Sequence, residues 1–141
     1  MTNHLAEQRI LNGETWNDFC DELKSIGSLL EDKTCPQDAF NRMLGYRALT
    51  HWLRAGLEMG LDHSNPDFPA FYRLDDDTKK MGNDNPDNIY FNCVIDGTRD
   101  YRIYGNRGTV NWFSVNSKGS ASSIAQMSNT GSIDSSDMHF E

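Results

Sequence analysis

The apolar spacing of this chain changes character once, and that change constrains the fold more than any other feature. Between Trp16 and Leu61 large apolar residues recur mostly by threes and fours; from Ile89 they come in short runs separated by turn dipeptides. The first pattern belongs to helices and the second to antiparallel strands, so the chain is read as α+β. Trp16, Phe19, Cys20, Leu23, Ile26 and Leu30 share one helical stripe. Asp18 and Asp21 suit the positive end of that helix, while Glu31 and Asp32 suit its far end badly and stop it near Leu30. Residues 1–13, polar apart from Ile10 and Leu11, read as a frayed tail or a first helical turn. Cys35-Pro36 marks the next start, with Pro36 at the first helical position. The second helix then spans roughly 37–60, with Phe40, Met43, Leu44, Leu49, Trp52, Leu53, Leu57 and Leu61 on a broad apolar face. Arg54 and Glu58 pair four apart, and Gly45 and Gly56 mark close packing in an αα-hairpin.

The remainder divides at Ile89. Residues 63–88 read as an irregular connection holding Pro66, Pro69 and Pro86, with Phe68, Phe71, Tyr72 and Leu74 as anchors. Asp96-Gly97 between IYFNCVI and TRDYRIYG predicts a type I′ hairpin with Ile95 opposite Thr98. Gly105 to Gly108 makes a second turn, giving a meander of strands 89–95, 99–104 and 109–115. Trp112, alternating with Val110, is assigned to the core in preference to a sugar-stacking platform. Beyond Val115 the chain is rich in Ser, Gly and Asn, with Ile124, Met127, Ile133, Met138 and Phe140 as its large apolar residues. Met138 and Phe140 alternate like the start of a strand. The expected organisation is a helical region 1–62, a connecting loop 63–88 and an antiparallel β region 89–141, part of an incomplete β-sandwich. Open edges and two partly apolar sheet faces predict self-association or a missing C-terminal half.

Charge narrows the partners. Against 13 basic side chains stand 21 acidic ones, a net charge of −8, which disfavours nucleic acid and anionic lipid. No apolar stretch reaches signal-peptide or membrane-spanning length, so a soluble, cytoplasmic protein is expected. Asp75, Asp76 and Asp77 form the longest acidic run and read as a solvated loop. Cys20, Cys35 and Cys93 make no disulfide framework and no CxxC pair; Cys20 and Cys93 read as core residues, and Cys35 as the exposed thiol. His51 reads as an interface histidine, and His4, His63 and His139 are too scattered for a zinc site. No cofactor is expected.

Three pieces resemble one bacterial family: Arg47-Ala48-Leu49 in the second helix, Asp84-Asn85-Pro86-Asp87-Asn88 ahead of Tyr90, and Tyr101 to Gly108 in the hairpin. Together they resemble the front part of proteins that carry a C-terminal DUF1214 domain. The resemblance runs over about residues 16–115, and the tail segment SIDSSDMHFE resembles a later stretch of the same family. It implies a chain two to three times longer and no settled biochemical role.

The candidate ligand-binding residues are Asp84, Asp87, Asn88, Tyr101, Arg102 and Arg107. Asp and Asn beside a Pro build a hydrogen-bonded turn, which accounts for Asp84 to Asn88 without a ligand. The functional alternative is a hard cation or ligand hydroxyls held by Asp84, Asp87 and the amide oxygens of the loop, with Asp96 as an optional further ligand, although the EF-hand spacing is absent. Arg102 and Arg107 either pair with loop carboxylates or present a fork to an anionic group. Three functional readings follow: a module binding a small polar or carbohydrate-like ligand, a hydrolase or lyase using Asp84, Asp87 and Arg102, and a structural or partner-binding half-module. A loop filled by its own salt bridges favours the last.

Overall fold

The computed structural model describes residues 2–82, 85–119 and 127–139. Ile124, Phe140 and the candidate Asp84 lie outside the described residues. The architecture is α+β: helices followed by one small, open antiparallel sheet of two strands. The chain divides into two compact units, residues 1–99 and residues 100–141.

The first unit holds the helices. α1 spans Thr2–Leu11, α2 Glu14–Ser28 with a 3-10 turn at Leu29–Glu31, and α3 Ala39–Leu57 continued by a π-helical turn at Glu58–Asp62. The amino-terminal residues are thus a full helix rather than a frayed tail. Gly13 takes the left-handed conformation (φ 80°) that breaks α1 from α2, and Glu14 N–H donates to the Asn12 side chain at 3.0 Å. An ion pair from Arg9 to Asp18 ties the two helices across that break. The start of α3 also differs from expectation. Asp38, not Cys35, is the cap, its carboxylate accepting the Asn41 N–H at 3.0 Å, so Pro36 lies ahead of the helix. Leu30 packs where a side chain on Gly45 would stand, 2.9 Å from an ideal Cβ, and this close approach joins the end of α2 to α3.

The predicted meander does not form. No ladder runs through 89–95, 99–104 or 109–113; Asn92 instead makes an isolated antiparallel bridge to Tyr72. The reason lies in Asp96. Its carboxylate accepts the Thr98 N–H at 2.9 Å and the Thr98 hydroxyl at 2.7 Å, while Arg99 N–H donates to the Asp96 carbonyl at 3.1 Å. The turn therefore begins at Asp96 instead of centring on Asp96-Gly97. Gly97 is not among the positive-φ glycines Gly13, Gly82 and Gly108, so a type I′ turn is ruled out.

In the second unit β1 spans Ser114–Lys118 and β2 Asn129–Asp134, paired antiparallel from Ser114 opposite Asp134, with an irregularity at Ser117/Lys118. β2 falls in the Ser/Gly/Asn-rich stretch, where no apolar alternation announces it. A 3-10 turn, Ser135–Asp137, precedes Met138, so the predicted terminal strand is not seen at that residue. Buried Ser135 closes the ladder, with N–H to Phe113 C=O at 2.9 Å and Phe113 N–H to its hydroxyl at 3.2 Å.

Burial is sparse. Among the described residues, Ala55 and Tyr72 are the buried apolar side chains and Lys79 and Ser135 the buried polar ones. Trp112, assigned to the core by its alternation, is 58% exposed. All three cysteines are half-buried, so Cys35 is not the distinctively exposed thiol.

Candidate functional site

The best-organised side-chain cluster joins α3 to the loop 72–81. Arg54 on α3 and Glu58 in the π-helical turn that continues it face each other one turn apart, with Nε 2.8 Å from Oε1, as their spacing predicts. Lys79 comes in from the loop with its side chain 1% exposed. Its ammonium donates to Glu58 Oε2 and, at 2.9 Å, to the Arg73 carbonyl, and it stands 3.9 Å from Asp76. Arg54 also reaches the Thr78 hydroxyl at 3.0 Å and lies 3.9 Å from Asp76. A buried ammonium needs such partners, because burying it alone costs far more than its attraction to any one of them.

Asp76 organises the loop backbone. One of its oxygens accepts the Thr78 hydroxyl and N–H, both at 2.7 Å, and the Lys79 N–H at 2.9 Å. Those donors, the Thr78 hydroxyl foremost, hold its carboxyl down at about 2. Glu58 is also held below the usual carboxylate range, first by the Lys79 hydrogen bond. Asp75 accepts the Met81 N–H at 2.9 Å. The acidic run is therefore a backbone-ordering device, not the solvated loop expected, although Asp77 is exposed.

Two aromatic side chains complete the clamp. His51 Nδ1 lies 3.1 Å from the Lys80 N–H and 2.9 Å from its carbonyl, and Trp52 Nε1–H donates to the Met81 carbonyl at 3.0 Å. This is the interface role expected of His51. His63 stacks on Tyr72 with ring centroids 4.6 Å apart. Chemically the cluster is a clamp: the heads of Arg54, Glu58, Asp76 and Lys79 each face an opposite charge or a backbone group.

The sequence-predicted site residues occupy two units. Asp87 and Asn88, in the first, are exposed; Asp87 N–H donates to Asn85 Oδ1 at 3.0 Å, the Asx turn that the Asp/Asn/Pro composition implies. In the second unit Tyr101 is half-buried and Arg102 exposed. Arg107 donates to the carbonyls of Val110, at 2.8 Å, and Asn111, closing its own turn at Gly108 (φ 61°). No group of three or more His, Cys, Asp or Glu suited to a metal ion occurs among the described residues. No helix there is long and apolar enough to cross a membrane. Sequence reasoning missed Lys79, Thr78 and Asp76 as one unit with Arg54 and Glu58. The one visible signal was the Asp75–Asp77 run, since an Asp two residues before Thr commonly orders a turn.

No family model matches the chain, and no curated protein matches it. A solved structure does: an uncharacterised protein from Burkholderia cenocepacia, 36% identical, with a TM-score of 0.85 over 95% of this chain. The chain spans 38% of the length of that protein.

Proposed function

We propose that the chain is a structural, partner-binding module, a helical cap with part of a β-sandwich, that completes its core against further polypeptide. One observation carries this reading: large apolar side chains along the helices stay exposed, while Lys79 and Asp76 of the loop are held by ion pairs and hydrogen bonds. Trp16 is 67% exposed, Phe40 65%, Trp52 56% and Leu61 72%. So many large apolar side chains left in solvent mark a chain whose surfaces are meant to be covered. The greater length of the similar structure supports the reading, as does the resemblance to the front part of DUF1214-domain proteins. The clamp at Lys79 supports it too, because its charged groups are spent on holding loop to helix. The test is binding of a hydrophobic dye such as anilinonaphthalene sulfonate to the isolated chain. Strong fluorescence enhancement under native conditions is expected. A chain that leaves the dye dark would defeat the module reading.

A further inference from the structure

The bridge between Tyr72 and Asn92 fixes how the chain around it presents its backbone. The two residues exchange both bonds, Tyr72 N–H to Asn92 C=O at 2.9 Å and Asn92 N–H to Tyr72 C=O at 2.8 Å. Residues 88–96 run through that bridge without a turn or a bend. In such a chain the backbone groups of successive residues point to opposite edges. Those of Asn92 point at Tyr72, so those of Phe91 and Cys93, and beyond them Ile89 and Ile95, point to the other edge. Among the described residues, nothing bonds to the backbone N–H or C=O of these four. An open edge is ordinarily guarded by charge, by Pro or by a bulge. Here Asn88 to Ile95 holds no Asp, Glu, Lys, Arg or Pro, and Ile89, Tyr90, Phe91, Val94 and Ile95 are all strand formers.

The backbone identifies the occupant. A row of donors and acceptors repeating at every second residue is satisfied by another extended chain, whereas a helix spends its main-chain groups on itself. The side chains say what supplies that chain. Ile89 is 66% and Phe91 62% exposed on one face, and Tyr90 is 61% exposed on the other. A second copy pairing edge to edge would only widen the sheet and leave both faces in water. A larger polypeptide can add a strand and cover a face as well. The similar Burkholderia protein, of which the chain spans 38%, is long enough to carry both. We propose that the free edge of 89–95 accepts a β-strand from further polypeptide, paired along Ile89, Phe91, Cys93 and Ile95. This rests on the module reading above and gives it a binding mode, strand addition to an open edge.

The test uses the whole chain and two labelled synthetic peptides of about ten residues. One alternates Val and Thr between terminal lysines; the other is an Ala-rich helix former with the same lysines, so attraction to a chain of charge −8 is equal for both. Fluorescence anisotropy should show the Val/Thr peptide binding at least about tenfold tighter. In amide hydrogen exchange followed by NMR, that peptide should protect the N–H groups of Phe91, Cys93 and Ile95 at least about tenfold. Cys93→Pro takes one donor from the free edge and should weaken binding at least about tenfold. Cys93→Val keeps the donor and should bind like the parent. Equal binding of the two peptides, protection confined to other amides, or Cys93→Pro binding as tightly as Cys93→Val would each overturn the proposal. So would a dimer in sedimentation equilibrium that Cys93→Pro dissolves, since the edge would then serve a second copy. Dye binding that persists while the Val/Thr peptide fails to bind removes strand addition and leaves the module reading standing; a dark dye defeats that reading itself.

Discussion

Lys79 shows how one side chain ties a loop to a helix. Its ammonium is held by Glu58, the Arg73 carbonyl and nearby Asp76, at 1% exposure. Lys79→Ala removes both the charge and the buried stem, so a loss of about 2–3 kcal/mol is expected in urea unfolding. Lys79→Met keeps the stem, and Glu58 keeps Arg54, so the methionine variant should lose clearly less. Equal losses would mean that packing plays no part. Asp76 supplies the pH dependence. Its carboxyl titrates at about 2 in the folded chain against an ordinary 3.8, so its folded value is depressed. The stability it contributes is present above 3.8 and is lost as the pH falls toward 2. Carboxyl NMR titration should place its midpoint near 2, and Thr78→Ala should move it upward toward 3.8, because the Thr78 hydroxyl is the largest cause. A midpoint unmoved by Thr78→Ala would assign the shift elsewhere. None of these roles is legible in Asp75-Asp76-Asp77 alone, where a solvated run and a backbone-ordering run look identical.

At the scale of elements, local rules succeed where one helix turn suffices and fail where a turn has two solutions. The apolar stripes located α2 and α3, and Arg54 and Glu58 pair as their spacing implies. Asp96-Gly97 failed because the Asp96 side chain captures Thr98, which starts the turn one residue later than a type I′ hairpin needs. The two α3 glycines also differ in a way that spacing cannot show. A Cβ on Gly45 would crowd Leu30, whereas nothing lies within 4 Å of one on Gly56. Gly56→Ala should therefore stabilise the helix by up to about 1 kcal/mol. Gly45→Val should cost about 1–3 kcal/mol through overpacking. Urea midpoints moving in opposite directions would check the pair; a shared sign would show that Leu30 yields freely.

At the scale of the whole molecule the thin core limits stability. With Ala55 and Tyr72 as the buried apolar side chains among the described residues, the isolated chain should unfold with a free energy below about 5 kcal/mol, the lower end for ordinary domains. Cooperative urea unfolding well above that value would show a core larger than the burial pattern gives. The α+β class, the positions of α2 and α3 and the acidic balance were legible in the residues, because they depend on neighbours within a few positions and on summed charge. So was the Asx turn before Asp87. The tertiary structure alone decided that Asn92 pairs with Tyr72, that Lys79 buries its charge against Glu58, and that 129–134, with no apolar alternation, forms a strand. Each of those outcomes is a contact between residues far apart in the chain, and periodicity records that an apolar side chain wants cover without recording what supplies it.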